Sequence, residues 1–219
     1  MPHPDLAALS RDALLEMAAA GDEVVGWEHI LSRSGDSVLR EVTGGAEPRA
    51  WDHYPSGDVY DADRRAQYYF HVHPVAERPR GEIGHFHTFL RGPDSPDSVS
   101  HLVGIGIDRE GRVIRLFTTN RWVTGETWRD AADVIAMLDH FAIDHARPSW
   151  PLNRWVTAVP RLFRPRIEAL LRARDTAIRA WAATGSLDTV LEDRALEVTS
   201  EARVSVDDQI VAIGDALGR

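Results

Sequence analysis

Four histidines stand in two His-x-His pairs, His71/His73 and His85/His87, within the stretch QYYFHVHPVAERPRGEIGHFHTFLR. Residues i and i+2 of a strand point to the same face, so each pair can address one metal ion. If the two segments are neighbouring strands, Cβ atoms about 5 Å apart bring all four rings within reach of a single centre. Three or four neutral imidazoles suit Fe, Cu or Zn better than Mg or Ca. Glu82, just ahead of the second pair in EIGHFH, is the candidate catalytic carboxylate, able to act as a general base, to orient a histidine or to ligate; Glu77 lies further away in the connector.

With Fe or Cu such a centre suits oxidation of a small molecule, and with Zn its activated water favours hydrolysis. An all-imidazole set with no separate hydrolytic base tips the expectation towards a metal-dependent oxidoreductase. The alternative is a non-catalytic module that binds a small molecule or a metal. A plainer reading makes the histidines a polar sheet surface bonded to nearby loops, which one pair alone would deserve. Two pairs so close together in strand-like surroundings favour the metal.

A second candidate region, LFTTNRWVTGETW (116–128), leaves a strand and enters a helix. Asn120, Arg121 and Trp122 at that strand end are candidate substrate-binding residues, with the planar Arg121 fork suited to a carboxylate or phosphate. The competing reading is a capped loop in which Trp122 fills the core and Arg121 pairs with an acid. His101 is a weaker ligand candidate. A four-residue hairpin loop puts it with Val103, Ile105 and Ile107 on an apolar face, whereas Gly104 and Gly106 on the other face leave room for a ligand.

The elements that must position these residues can be read from periodicity. Strand patterns cover about 67–73, 85–91, 100–107 and 112–119, the last two joined by DREG, whose Gly111 suits a left-handed turn. Alternation puts Phe70, Val72, Phe86 and Leu90 opposite the histidines, as a face for helices to cover. Helical spacing runs from Leu6 to Met17 with a stop at Gly21, and again from Val24 to Leu31. Residues 43–66 read as an ordered loop, rich in Gly, Pro and Asp but carrying Trp51, Tyr54 and Tyr60. Thr127 is the expected cap of a helix from Trp128. A Trp/Pro-rich connector then leads to a helix near Pro165, with weaker helices from Leu187 and Val206. The expectation is a single α+β domain over 1–219: N-terminal helices (1–42), the ordered loop (43–66), an antiparallel β-meander of about four strands (67–120), and a mainly helical remainder (121–219).

Composition narrows the function classes. The 219 residues include no cysteine, which excludes disulfides, thiolate nucleophiles and cysteine-ligated clusters. The formal charge of -9, with arginine as the basic residue throughout, gives non-specific nucleic-acid binding no support. No run approaches the roughly 20 apolar residues of a membrane span. A cytoplasmic protein acting on a small molecule is expected, without nucleic-acid or membrane partners, its helices offering a surface for a homodimer.

The segment His71-x-His73-x-x-x-Glu77 resembles the first metal motif of cupins, although the second pair follows sooner than the second cupin motif would. More broadly, YYFHVHP, GHFHTFLR and RLFTTNRWVTGETW resemble a family of bacterial proteins known as a domain of unknown function, over about residues 67–180. That resemblance implies one continuous fold and no particular reaction.

Overall fold

The structure, a computed structural model, describes residues 4–92, 98–182 and 185–218. Six strands, β1 (Tyr54–Asp61), β2 (Ala66–His71), β3 (Gly84–Arg91), β4 (Val99–Ile107), β5 (Val113–Thr119) and β6 (Val198–Arg203), form one sheet in chain order, each antiparallel to the next. The expected four-strand meander is present and gains a strand at each edge. β1 occupies part of the stretch read as a loop: a register shift between Tyr54 and Val59, with Gly57 at φ +86° and Asp58 at φ +59°, breaks the alternation by which a strand is recognised. β6, VTSEAR, lies in the region expected to be helical. It buries only Thr199 and Ala202, so its pattern carries little apolar signal.

Eight α-helices are present among the described residues. α1 (Arg11–Arg33) starts at Ser10, whose hydroxyl accepts the Ala13 N–H, and runs through Gly21 where a stop was expected. A Cβ at Gly21 would lie 3.0 Å from Ile210 and 3.3 Å from Leu162, so this glycine serves close helix packing and does not end the helix. α2 (Val38–Thr43) ends at left-handed Gly44. α3 (Arg121–Thr124) is a single turn capped by Asn120.

α4 (Ala131–Met137) is capped by Asp130 and not by Thr127, whose N–H is taken by the Val99 carbonyl at 2.8 Å. The Trp/Pro-rich connector is itself helical as α5 (Trp150–Leu162); Pro151 sits in its first turn, where no backbone donor is required. α6 (Arg164–Trp181), α7 (Leu187–Leu191) and α8 (Val206–Leu217) complete the chain. No helix among the described residues is long and apolar enough to cross a membrane.

Strand pairing sorts the sheet into two faces. Across one run Phe70, Phe86, Ile105, Leu116 and Ala202, in register, and the first four are completely buried. Trp155 of α5 packs its ring 5.6 Å from that of Phe86, and the Tyr68 hydroxyl donates to Asn153 Oδ1 at 2.7 Å. Burying each large apolar side chain contributes about 1.5–3 kcal/mol, so this face anchors the helical layer. The opposite face presents two parallel rows: His71, His85, Gly106 and Arg115, then Tyr69, His87, Gly104 and Phe117.

Candidate metal centre

β2 and β3 pair with His71 opposite His85 and Tyr69 opposite His87, so the two His-x-His pairs are offset by two residues and His71 is the member of the first pair that faces the second across the ladder. His71, His85 and His87 each offer one ring nitrogen, and these atoms lie within 4.8 Å of one another. All three rings are shielded, at 8%, 5% and 1% exposure. His73 lies beside this group and not within it. Beyond the end of β2 it is half-buried, its ring centroid 5.0 Å from that of His71, 5.1 Å from that of His85 and 4.4 Å from that of Trp51.

The hydrogen bonds fix which nitrogens face inward. His85 Nδ1 lies 2.7 Å from Glu82 Oε1, and Arg115 Nη1 lies 3.2 Å from Glu82 Oε2. Burial pushes the Glu82 carboxyl up, but the His85 hydrogen bond and the neighbouring Arg115 charge more than offset this and hold it below the usual carboxylate range. An ionised Glu82 only accepts, so His85 Nδ1 donates to it and His85 Nε2 is the nitrogen directed at His71. The two Nε2 atoms are 2.7 Å apart and share one proton. A tetrahedral ion with bonds of about 2.0–2.1 Å sets its ligand nitrogens about 3.3 Å apart, so an ion held by both Nε2 atoms would require the two rings to part slightly.

The donor chemistry fits a transition metal. Burial, reinforced by neighbouring imidazoles, pulls His71 down to about 2 and His87 well below its ordinary value. Burial also lowers His73, with the His85 ring adding to the effect. Uncharged rings keep their lone pairs available at neutral pH, as a softer divalent ion requires.

Glu82, expected as a catalytic carboxylate, has both oxygens engaged, one by His85 and one by Arg115, which also pairs with Glu201 at 2.7 Å. The two glycines of β4 do not leave a cavity. A Cβ on Gly106 would overlap the Glu82 carboxylate, and one on Gly104 would overlap the Phe117 ring. Their hydrogens admit those two side chains under the histidines.

Asn120, Arg121 and Trp122 are turned towards the chain around residues 188–196. Asn120 donates to the Val190 carbonyl at 2.7 Å, Trp122 Nε1 to the Leu196 carbonyl at 2.9 Å, and Arg121 pairs with Glu192 at 2.9 Å.

His101 does join the histidine face, contrary to the simple hairpin alternation. Thr88 pairs with Val103 but Phe89 pairs with His101, so Leu102 is an extra residue at a bulge and the chain before it changes sides. His101 Nε2 reaches 3.0 Å from His87 Nδ1. Trp51 and His53 were not singled out by the spacing argument. The Trp51 ring tilts over His73, while His53 stacks on Tyr69 at 3.8 Å and meets Asp58 at 2.9 Å. Isolated rings in a Gly/Pro/Asp-rich segment were the available signal for both.

A groove of about 830 Å³ lies elsewhere, among α1, α5 and α6, lined by Met17, Ala20, Pro160 and Arg161. The three clustered histidines are themselves buried. Residues 18–204 match the family described as "Domain of unknown function (DUF6969)". No curated protein and no solved structure matches the chain.

Proposed function

This chain belongs to the DUF6969 family, whose description names no reaction, and from its own residues we propose a protein that holds one transition-metal ion on His71, His85 and His87. The observation that carries the reading is the convergence of three buried imidazoles, one of them backed by an ionised carboxylate. A histidine whose second nitrogen donates to a carboxylate is a stronger and better-oriented ligand. His73, beside the group, supplies a fourth imidazole as the rings adjust.

The reaction class that fits best is metal-dependent oxidation of a small molecule. Hydrolysis at zinc calls for a base to serve the water, and Glu82 is committed to His85 and Arg115. The low exposure of all three ligands favours a second reading, a metal-binding module without catalysis.

Untagged protein should purify with, or take up, about one equivalent of Fe, Cu or Zn per chain by elemental analysis. Substituting His71, His85 or His87 by alanine should abolish that uptake while far-UV circular dichroism is retained. No uptake by the parent protein ends the metal reading. Nitric oxide added to the Fe(II)-loaded protein separates the two functional readings: an S = 3/2 electron paramagnetic resonance signal marks an open coordination position, and its absence favours the closed module.

A further inference from the structure

Glu126 is a buried acid that the metal-holding residues alone do not explain. It sits just beyond α3, at 4% exposure, with Oε2 accepting the His101 backbone N–H at 2.8 Å. Its other oxygen, Oε1, has no hydrogen-bond partner among the described residues. Leaving a buried carboxyl oxygen unsatisfied is unfavourable, so its retention calls for a compensating role. The N–H it accepts belongs to the residue next to the β4 bulge at Leu102, where the strand changes sides.

We propose that Glu126 and His101 are positioning residues for the metal centre: Glu126 holds the bulge, the bulge turns His101 to the histidine face, and His101 accepts the His87 Nδ1 proton so that His87 Nε2 faces the ion. This rests on the reading of His71, His85 and His87 as ligands. His87 Nδ1 and His101 Nε2, 3.0 Å apart, share one proton. On the far side of His101, Nδ1 lies 3.4 Å from the Thr119 hydroxyl, an oxygen able to accept. A proton on His101 Nδ1 leaves its Nε2 as the acceptor and sets His87 in the same tautomer that Glu82 imposes on His85. Two ligands then present Nε2, each backed through Nδ1 by a different acceptor. Coordination through one ring nitrogen is commonly fixed in this way by the bond the other nitrogen makes.

Side-chain ¹⁵N NMR of the metal-free parent protein reads the tautomer directly. His87 protonated at Nδ1 supports the assignment, and His87 protonated at Nε2 overturns it. Zn(II) competition titrations of the full chain supply the second arm. Glu126→Ala and His101→Ala should weaken Zn(II) binding about 10–100-fold, while Glu126→Gln and His101→Gln, whose amide oxygens still accept, should recover most of it. Alanine variants that fold cooperatively and bind Zn(II) as the parent does would overturn the proposal. A parent protein that binds no Zn(II), Fe(II) or Cu(II) overturns the ligand reading and this proposal with it, whereas normal parent binding with unaffected variants overturns only the positioning roles. Should Glu126→Ala fail to fold, the parent's His87 tautomer and the His101 pair of variants still decide.

Discussion

His71 is surrounded by His53, His73 and His85, and burial with these neighbours pulls its pKa to about 2. His101 is pulled to about 3, by burial first and then by Arg174 and His85. In the unfolded chain such rings take up protons below about pH 6.5, whereas in the folded chain they stay neutral until far lower. The stability associated with their neutral state is therefore complete above about pH 6.5 and is lost as pH falls towards 2–3. The metal-free protein should have a lower urea midpoint at about pH 4.5 than at about pH 7.5, and His71→Ala should flatten that difference; equal midpoints would contradict the buried-neutral assignment. Glu82 acts at the same scale through the His85 Nδ1 proton. Glu82→Ala should weaken metal binding about 10–100-fold, measured by chelator competition.

At the scale of strands, the centre depends on two glycines and one bulge. Gly104 and Gly106 face the histidine side of β4, opposite His87 and His85, and their missing side chains admit Phe117 and Glu82. Gly106→Ala should displace the Glu82 carboxylate and reduce metal affinity, even if the sheet survives. Gly104→Ala presses on a rigid aromatic ring, and its cost should be about 1–3 kcal/mol by denaturant unfolding, as overpacking usually is. The bulge at Leu102 decides whether His101 joins Phe89 and His87 or the apolar side. Its register belongs to the pairing of two strands, which a hairpin loop length alone does not determine.

At the scale of the whole molecule, the sheet separates the apolar core from the histidine cluster: Phe70, Phe86, Ile105 and Leu116 meet the helical layer while the histidines occupy the other side. Phe86→Ala should cost about 3–5 kcal/mol in chemical denaturation, through lost contacts including Trp155, yet leave the metal stoichiometry of the folded protein unchanged. Loss of metal from that variant while folded would mean that the two faces are not independent. The amino-acid order by itself determined strand character over most of 67–73 and over 85–91, the common side of His85 and His87 within their strand, the apolar residues that alternate with them and the absence of thiol chemistry, because alternation and composition are local properties; the register that sets His71 opposite His85 and leaves His73 past the end of β2 was not among them. It left β1 and β6 unread, since a bulged, glycine-bearing strand and a polar edge strand are held by backbone pairing and carry weak periodicity. Only the tertiary structure decided that Glu82 turns to His85 and Arg115, that His101 crosses to the histidine face, and that Asn120, Arg121 and Trp122 engage the chain about 70 residues on. Those outcomes depend on register, on a bulge and on contacts between segments far apart in the chain, and short-range patterning does not encode such geometry.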